Sequence, residues 1–224
     1  MRQLQLPMRI WDLPTRLFHW ILVVLIFNSW LSASMNWMRL HVVCGLTILS
    51  LLLFRVIWGL VGSDTARFSH FLKSPLEAVR HLMHLRRREP DIEAGHNAAG
   101  GWMVVGLLAL LFIQAGSGLC ANDDVLTEGP LARLVGKETS DWFTHIHDLN
   151  FTLIEIAVAL HVLAIVTYRV LKGHNLLLPM ITGKKRLPGA TRAPRMMHPV
   201  VALVVFVLCA LAVVVFLRLV GYRP

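Results

Sequence analysis

The sequence predicts an all-α integral membrane protein, and three observations carry that prediction. Of 224 residues, 56% are hydrophobic and only 16% charged, with a mean hydropathy of +0.62; a soluble domain is nearer a quarter charged. Five apolar runs, roughly 17–35, 40–61, 100–120, 147–168 and 199–219, each approach the ~20 residues a helix needs to cross the hydrocarbon core. A soluble bundle would show polar stripes at helical period, and these runs lack them. The 22 Lys and Arg are also unevenly placed. Sixteen lie before span one, between spans two and three, or between spans four and five. Five (Arg39, Arg133, Lys137, Arg218, Arg223) lie on the opposite side. This positive-inside asymmetry predicts a cytoplasmic N-terminus and an external C-terminus. The net charge of +9 is therefore topological and does not mark a nucleic-acid partner.

Residues 1–16 are basic, contain Pro7 and Pro14, and bring Trp11 near the interface, as Trp20 does just beyond. MRQLQLPMRIWDLPTRLFHW lacks the short basic region, apolar core and small-residue cleavage site of a signal peptide, so span one is expected to act as an uncleaved insertion signal. Span one begins near Leu17 and sets His19 about one turn inside the cytoplasmic face. The short turn SASMNW then leads into span two, where His41 lies about as deep from the external face. Arg55, the one arginine inside a span, follows His41 by fourteen residues. It therefore shares the histidine's face ~21 Å nearer the cytoplasm, and is expected either to answer an anion or to snorkel to the inner interface.

Between spans two and three, SPLEAVRHLMHLRRR (74–88) reads as an amphipathic surface helix. Ser74 before Pro75 suits its start, Leu76, Val79, Leu82 and Met83 form an apolar side, and His81 and His84 read as structural. His96, in GHNAAGGW, opens span three beside Gly100 and Gly101, which would let a flat group or another helix come close. The external segment 121–146, with five acids against two bases, reads as a loop ending in SDWFTHIHDL.

Span four, HDLNFTLIEIAVALHVLAIVTYR, is the informative one. His147 and His161 are fourteen positions apart, 40° short of four turns at about 100° per residue, so both face nearly the same way ~21 Å apart. His145 would sit about 160° from His161, which makes His147 the better partner. Glu155 lies ~80° round from His147 and could line the same cavity, either as a proton-path group or as a protonated, hydrogen-bonded carboxyl. Span five has no ionisable residue before Arg218 and reads as a packing or partner-binding helix; Cys44, Cys120 and Cys209 form no C-x-x-C pattern and read as small apolar residues.

Counting depth from each face pairs the histidines. His19 and His161 fall near the cytoplasmic side, His41 and His147 near the external side. Two pairs at two depths, both using span four, is the arrangement of two bis-imidazole haems in a helical bundle. Arg55 and Arg16 fall at the inner depth and Arg39 at the outer one, where propionates need cations. Four unrelated histidines making interhelical hydrogen bonds is the plain alternative. A zinc or copper pathway would call for carboxylates or thiols grouped at one depth.

WDLPTRLFHW (11–20), RLHVVCG (39–45), FRVIWGLVGSDTARFSHF (54–71), GHNAAGGW (95–102), HDLNFTLIEIAVALH (147–161) and NLLLPMITGKKR (175–186) together resemble the prokaryotic cytochrome b561 family, which includes the b-type cytochrome subunits of nickel–iron hydrogenases. The resemblance implies a four-transmembrane-helix dihaem bundle over 1–186. Residues 187–224 then supply a linker and a fifth C-terminal transmembrane helix additional to the family's core. It implies two haem b, ligated by His19 and His161 on the cytoplasmic side and by His41 and His147 on the periplasmic side. Arg16, Arg39, Arg55, Gly45, His96 and Gly101 would be further cofactor contacts. His70 stands where an acid or small polar residue is expected.

The implied role is electron transfer across the bacterial inner membrane, between ubiquinone or menaquinone and a periplasmic cytochrome c, dehydrogenase or hydrogenase subunit. A stand-alone superoxide:ubiquinone oxidoreductase is the alternative; the acidic external segment would repel superoxide and suit a basic partner protein.

Overall fold

The computed structural model describes residues 5–84, 92–125, 127–189 and 191–222. Arg86, Arg87 and Arg88, the end of the predicted 74–88 helix, lie outside the described residues, as does Arg223. In chain order the elements are strand β1 (Gln5–Arg9), helices α1 (Leu13–Ser34), α2 (Met38–Val61), α3 (Phe68–Phe71), α4 (Pro75–Met83), α5 (Ala98–Cys120), α6 (Ala132–Val135), α7 (Lys137–Thr167) with a π-helical extension (Tyr168–Lys172), α8 (Leu177–Thr182), strand β2 (Lys184–Pro188) and helix α9 (Pro199–Leu219). Among the described residues five helices, α1, α2, α5, α7 with its extension, and α9, are long and apolar enough to cross a membrane. These are the five predicted spans.

Two boundaries differ from the hydropathy reading. Helix α1 starts at Leu13, four residues before the apolar run, because Asp12 caps it: its Oδ1 accepts the Thr15 amide at 2.8 Å, and Pro14 sits where no amide bond is required. Helix α7 starts at Lys137, ten residues earlier than expected. Gly136, at φ +79, turns the chain into it, and Lys137 bridges Asp141 one turn on. The polarity of 137–146 signals solvation; nothing in those residues breaks a helix.

The chain forms two compact units, one of Met1–Leu17, Val56–Gly106 and Val158–Ala202, the other of Phe18–Arg55, Leu107–Ala157 and Leu203–Pro224. Each long helix gives a segment to both.

In the first unit β1 and β2 pair antiparallel, from Gln5 opposite Pro188 to Arg9 opposite Lys184. Ile10, Trp11 and Leu187 form a buried cluster beside this ribbon. Gly183, at φ +78, ends α8 and its carbonyl accepts the amides of Ile10 and Trp11 at 2.9 and 3.2 Å. The buried Asp12 also accepts from Trp58 Nε1 at 3.0 Å, and Trp58 is fully buried. Helix α4 is capped as predicted, the Glu77 amide donating to Ser74 Oγ at 3.2 Å. Its apolar residues Leu76, Val79, Leu82 and Met83 are all exposed, as a helix lying on lipid requires. His81 is structural: its Nε2 shares a 2.7 Å hydrogen bond with the Tyr168 hydroxyl.

In the second unit, the turn joining α1 to α2 is tight. Asn36 takes φ 58, a conformation asparagine tolerates better than most residues, and Trp37 N donates to Ser32 O at 2.7 Å. In the segment between α5 and α7, Asp123 Oδ1 accepts the amides of Val125 and Thr127, and Asn122 Nδ2 donates to Ser140 Oγ at 2.7 Å.

Candidate functional site

His41 on α2 and His147 on α7 meet in the second unit, their ring centroids 6.0 Å apart and their planes at 78°. Both line a cavity of about 620 Å³, a size suited to a cofactor. Helix α7 contributes Thr144, His147, Asp148, Phe151 and Ile154, which share one broad face. Helix α1 contributes Ser29 and Trp30, and α5 contributes Leu111, Ala115 and Gly118. The walls are mainly apolar, so water is largely displaced and a flat apolar ring would be well accommodated.

Backbone carbonyls decide which nitrogen of each imidazole carries the proton. His41 Nδ1 lies 2.9 Å from Ser29 O and His147 Nδ1 lies 3.0 Å from Gln114 O. A carbonyl only accepts, so each Nδ1 donates and each Nε2 keeps its lone pair. This is how metal-binding imidazoles are usually fixed. The hydroxyls of Ser29 and Ser117 stand 3.1 and 3.2 Å from the same nitrogens. Behind His147, the buried Asn150 donates from Nδ2 to Gln114 Oε1 at 2.6 Å and to Leu110 O at 2.9 Å, tying the carbonyl-bearing turn of α5 to α7.

The spacing can be tested against a ligand pair. Were both Nε2 atoms to hold one metal ion at about 2.0–2.1 Å, with ~1.1 Å from ring atom to ring centre, the two centroids would stand about 6.2–6.4 Å apart. The 6.0 Å between the rings is close to that span. Two glycines shape the cavity. A Cβ at Gly45, one turn beyond His41, would meet nothing within 4 Å, whereas one at Gly118 would stand 2.9 Å from His147 Cε1. Gly45 thus opens the cavity and Gly118 makes the notch that seats the imidazole. Among the described residues no group of three or more His, Cys, Asp or Glu gathers as a metal-ion site.

The remaining predicted residues stand as follows. His19, in the second unit, is half-buried, with its ring edge-on to Trp20 at 4.9 Å. His161, in the first unit, is half-buried on α7. Arg55 is 3% exposed, so its guanidinium is enclosed by protein. Arg16 donates to the carbonyl of Ile181 in the first unit. Arg39 is exposed and is not part of the cavity wall. His96 packs against Trp11 and Phe71, with centroids at 4.7 and 4.8 Å, and a Cβ on Gly101 would stand 2.9 Å from Phe71 O. His145 is exposed, which leaves His147 as the inward histidine. Glu155 corrects an expectation: it is exposed and absent from the cavity lining, whose α7 residues end at Ile154. Ser29, Gln114, Ser117, Gly118 and Asn150 escaped the sequence reading; the polar and small residues of QAGSG within an apolar span were the available signal.

Fold and site together define a multi-pass helical membrane protein with a paired-imidazole cavity of cofactor size. The chain belongs to the prokaryotic cytochrome b561 family, whose model matches residues 10–183. That membership makes it a b-type cytochrome of transmembrane electron transfer, with b-type haem as its cofactor. Comparison with curated proteins and with solved structures returned no match.

Proposed function

We propose that this cytochrome conducts electrons across the bacterial inner membrane through two bis-histidine b haems. His41 and His147 would ligate one on the periplasmic side and His19 and His161 the other on the cytoplasmic side. The electrons would pass between ubiquinone or menaquinone and a periplasmic redox partner, either a cytochrome c or a dehydrogenase or hydrogenase subunit. Residues 1–186 would form the four-helix dihaem core and 187–224 the linker and added fifth helix. The observation that carries the reading is the His41–His147 pair: 6.0 Å between centroids, both Nδ1 groups spent on carbonyls, and a cofactor-sized cavity around them.

Bound haem supplies one-electron chemistry at iron. The protein's residues do the rest. His41 and His147 would hold the haem iron through their free Nε2 nitrogens, and the chemistry it would supply there is one-electron transfer. The carbonyls of Ser29 and Gln114 hold the rings in one tautomer and orientation, so little rearrangement accompanies a change of charge. Trp30, Leu111, Phe151 and Ile154 keep the surroundings apolar, which strengthens every local electrostatic effect on the potential. Arg55, enclosed by protein, is the cation proposed for the inner propionates.

The superoxide reading would need a cationic approach to the outer site. In the external segment Arg133 is held by Glu128, and Lys137 by Asp124 and Asp141. The bases there are neutralised and the acids are in excess, which favours a basic partner protein. Replacing His147 and His161 by alanine in separate variants tests the assignment. Each should lose about half of the pyridine-haemochrome signal of the wild type; an unchanged signal in either variant would refute that ligand.

A further inference from the structure

The first unit holds a second cavity, of about 770 Å³, whose described walls come from residues 64–73, 92–96 and 192–195. Four fixed cations line it, Arg67, Lys73, Arg192 and Arg195, against two acids, Asp64 and Glu93. Asp64 is already engaged. Its Oδ1 takes the Arg67 guanidinium and its Oδ2 the Arg195 amide at 2.9 Å, so it braces the wall and leaves the cationic side in excess.

The frame that displays these charges is tied down. Asp64 N donates to Arg195 O at 3.1 Å, Met197 N to Ser63 Oγ at 2.9 Å, and Thr65 Oγ1 to Ile10 O at 2.6 Å. Trp102 Nε1 donates to Lys73 O at 3.0 Å. Ser63, Thr65 and Ala66 are buried. The lining residues therefore sit on a hydrogen-bonded junction of three segments. Phe71, Ile92 and Pro194 add an apolar portion to the wall.

We propose that this cavity binds a phosphate group. Arginine forks match the oxygens of a phosphate in pairs, and several converging on one group favour phosphate over a lone carboxylate. The group can come from an anionic phospholipid headgroup or from soluble phosphate. Basic pockets at the cytoplasmic ends of membrane helices take acidic headgroups, and α4, in the same unit, carries the exposed apolar side that a helix lying on lipid needs. The proposal is independent of the haem assignment.

The test uses the full-length holoprotein with its haem. Wild type and a Lys73→Gln/Arg192→Gln/Arg195→Gln variant are purified, and retention of phosphatidylglycerol, cardiolipin or phosphatidylcholine is measured by native mass spectrometry. In a second arm, lipid-free protein in neutral detergent is titrated with inorganic phosphate and its melting followed. The substituted side chains are exposed, so the haem absorption bands should not change. Arg192→Glu alone provides a milder variant should the triple one melt early. Retention of the acidic lipids should fall about 10- to 100-fold in the variant with phosphatidylcholine unaffected, which assigns a headgroup. Stabilisation by phosphate in wild type but not in the variants supports the site with a soluble occupant. Equal acidic-lipid retention together with equal response to phosphate in all proteins would overturn the proposal.

Discussion

Replacing Gly118 by alanine would place a methyl group 2.9 Å from His147 Cε1 and 3.2 Å from its Nδ1. Ordinary contact begins at about 3.4 Å, so the ring must retreat by roughly 0.5 Å. Its Nδ1 bond to Gln114 O opposes the retreat, because that carbonyl lies on the same helix one turn from the new methyl. Overpacking of this kind costs about 1–3 kcal/mol. Without cofactor, His147 can swing out of the notch; with cofactor it cannot, so most of the cost falls on the bound state. At ~2 kcal/mol, retention of the outer haem should weaken by about 30-fold. A Cβ at Gly116, two residues away, would meet nothing within 4 Å, and Gly116→Ala serves as the control. The assay is haem content per protein with an optical redox titration. Gly118→Ala should lose, or shift in potential, one haem while the other stays; Gly116→Ala should keep both. Two haems at unchanged potentials in Gly118→Ala would refute the seating of His147 against that notch.

Gly45→Phe should fill open space in the His41–His147 cavity, removing the outer haem while the apoprotein melts no earlier, as read by haemochrome content and circular dichroism. Trp58→Phe should leave a buried oxygen of Asp12 without its donor and destabilise the protein by about 1–3 kcal/mol in a chemical or thermal melt. The Arg195 amide chiefly, and then the Arg67 guanidinium, hold Asp64 below its ordinary 3.8 against the effect of burial. A depressed carboxylate contributes stability that is present above 3.8 and lost as pH falls through the lower folded value. Melting temperatures measured from pH 5 to pH 2 should therefore drop more steeply in wild type than in Asp64→Asn.

The five spans were legible because a segment that crosses the hydrocarbon core must be long and apolar. The approach of His41 to His147 was legible because both depth and helical phase follow from residue counting. Other features left weaker traces. The β1–β2 ribbon joins QLPMR to KKRLP across most of the chain, and segments of five residues, each with a proline, carry little strand signal of their own. The early start of α7 was hidden by charge, which reports solvent and not backbone conformation. The partners of the two imidazoles are main-chain carbonyls of Ser29 and Gln114, and a carbonyl has no residue-type signature. Glu155 shows the limit of phase arguments: Ile154 lines the cavity, yet Glu155, the next residue on α7, is exposed.

The most direct measurement is the haem b stoichiometry of the purified chain with a potentiometric titration of its optical bands. Two low-spin b haems per polypeptide, titrating at separate potentials, are expected. A colourless protein, or one carrying a single haem, would contradict it.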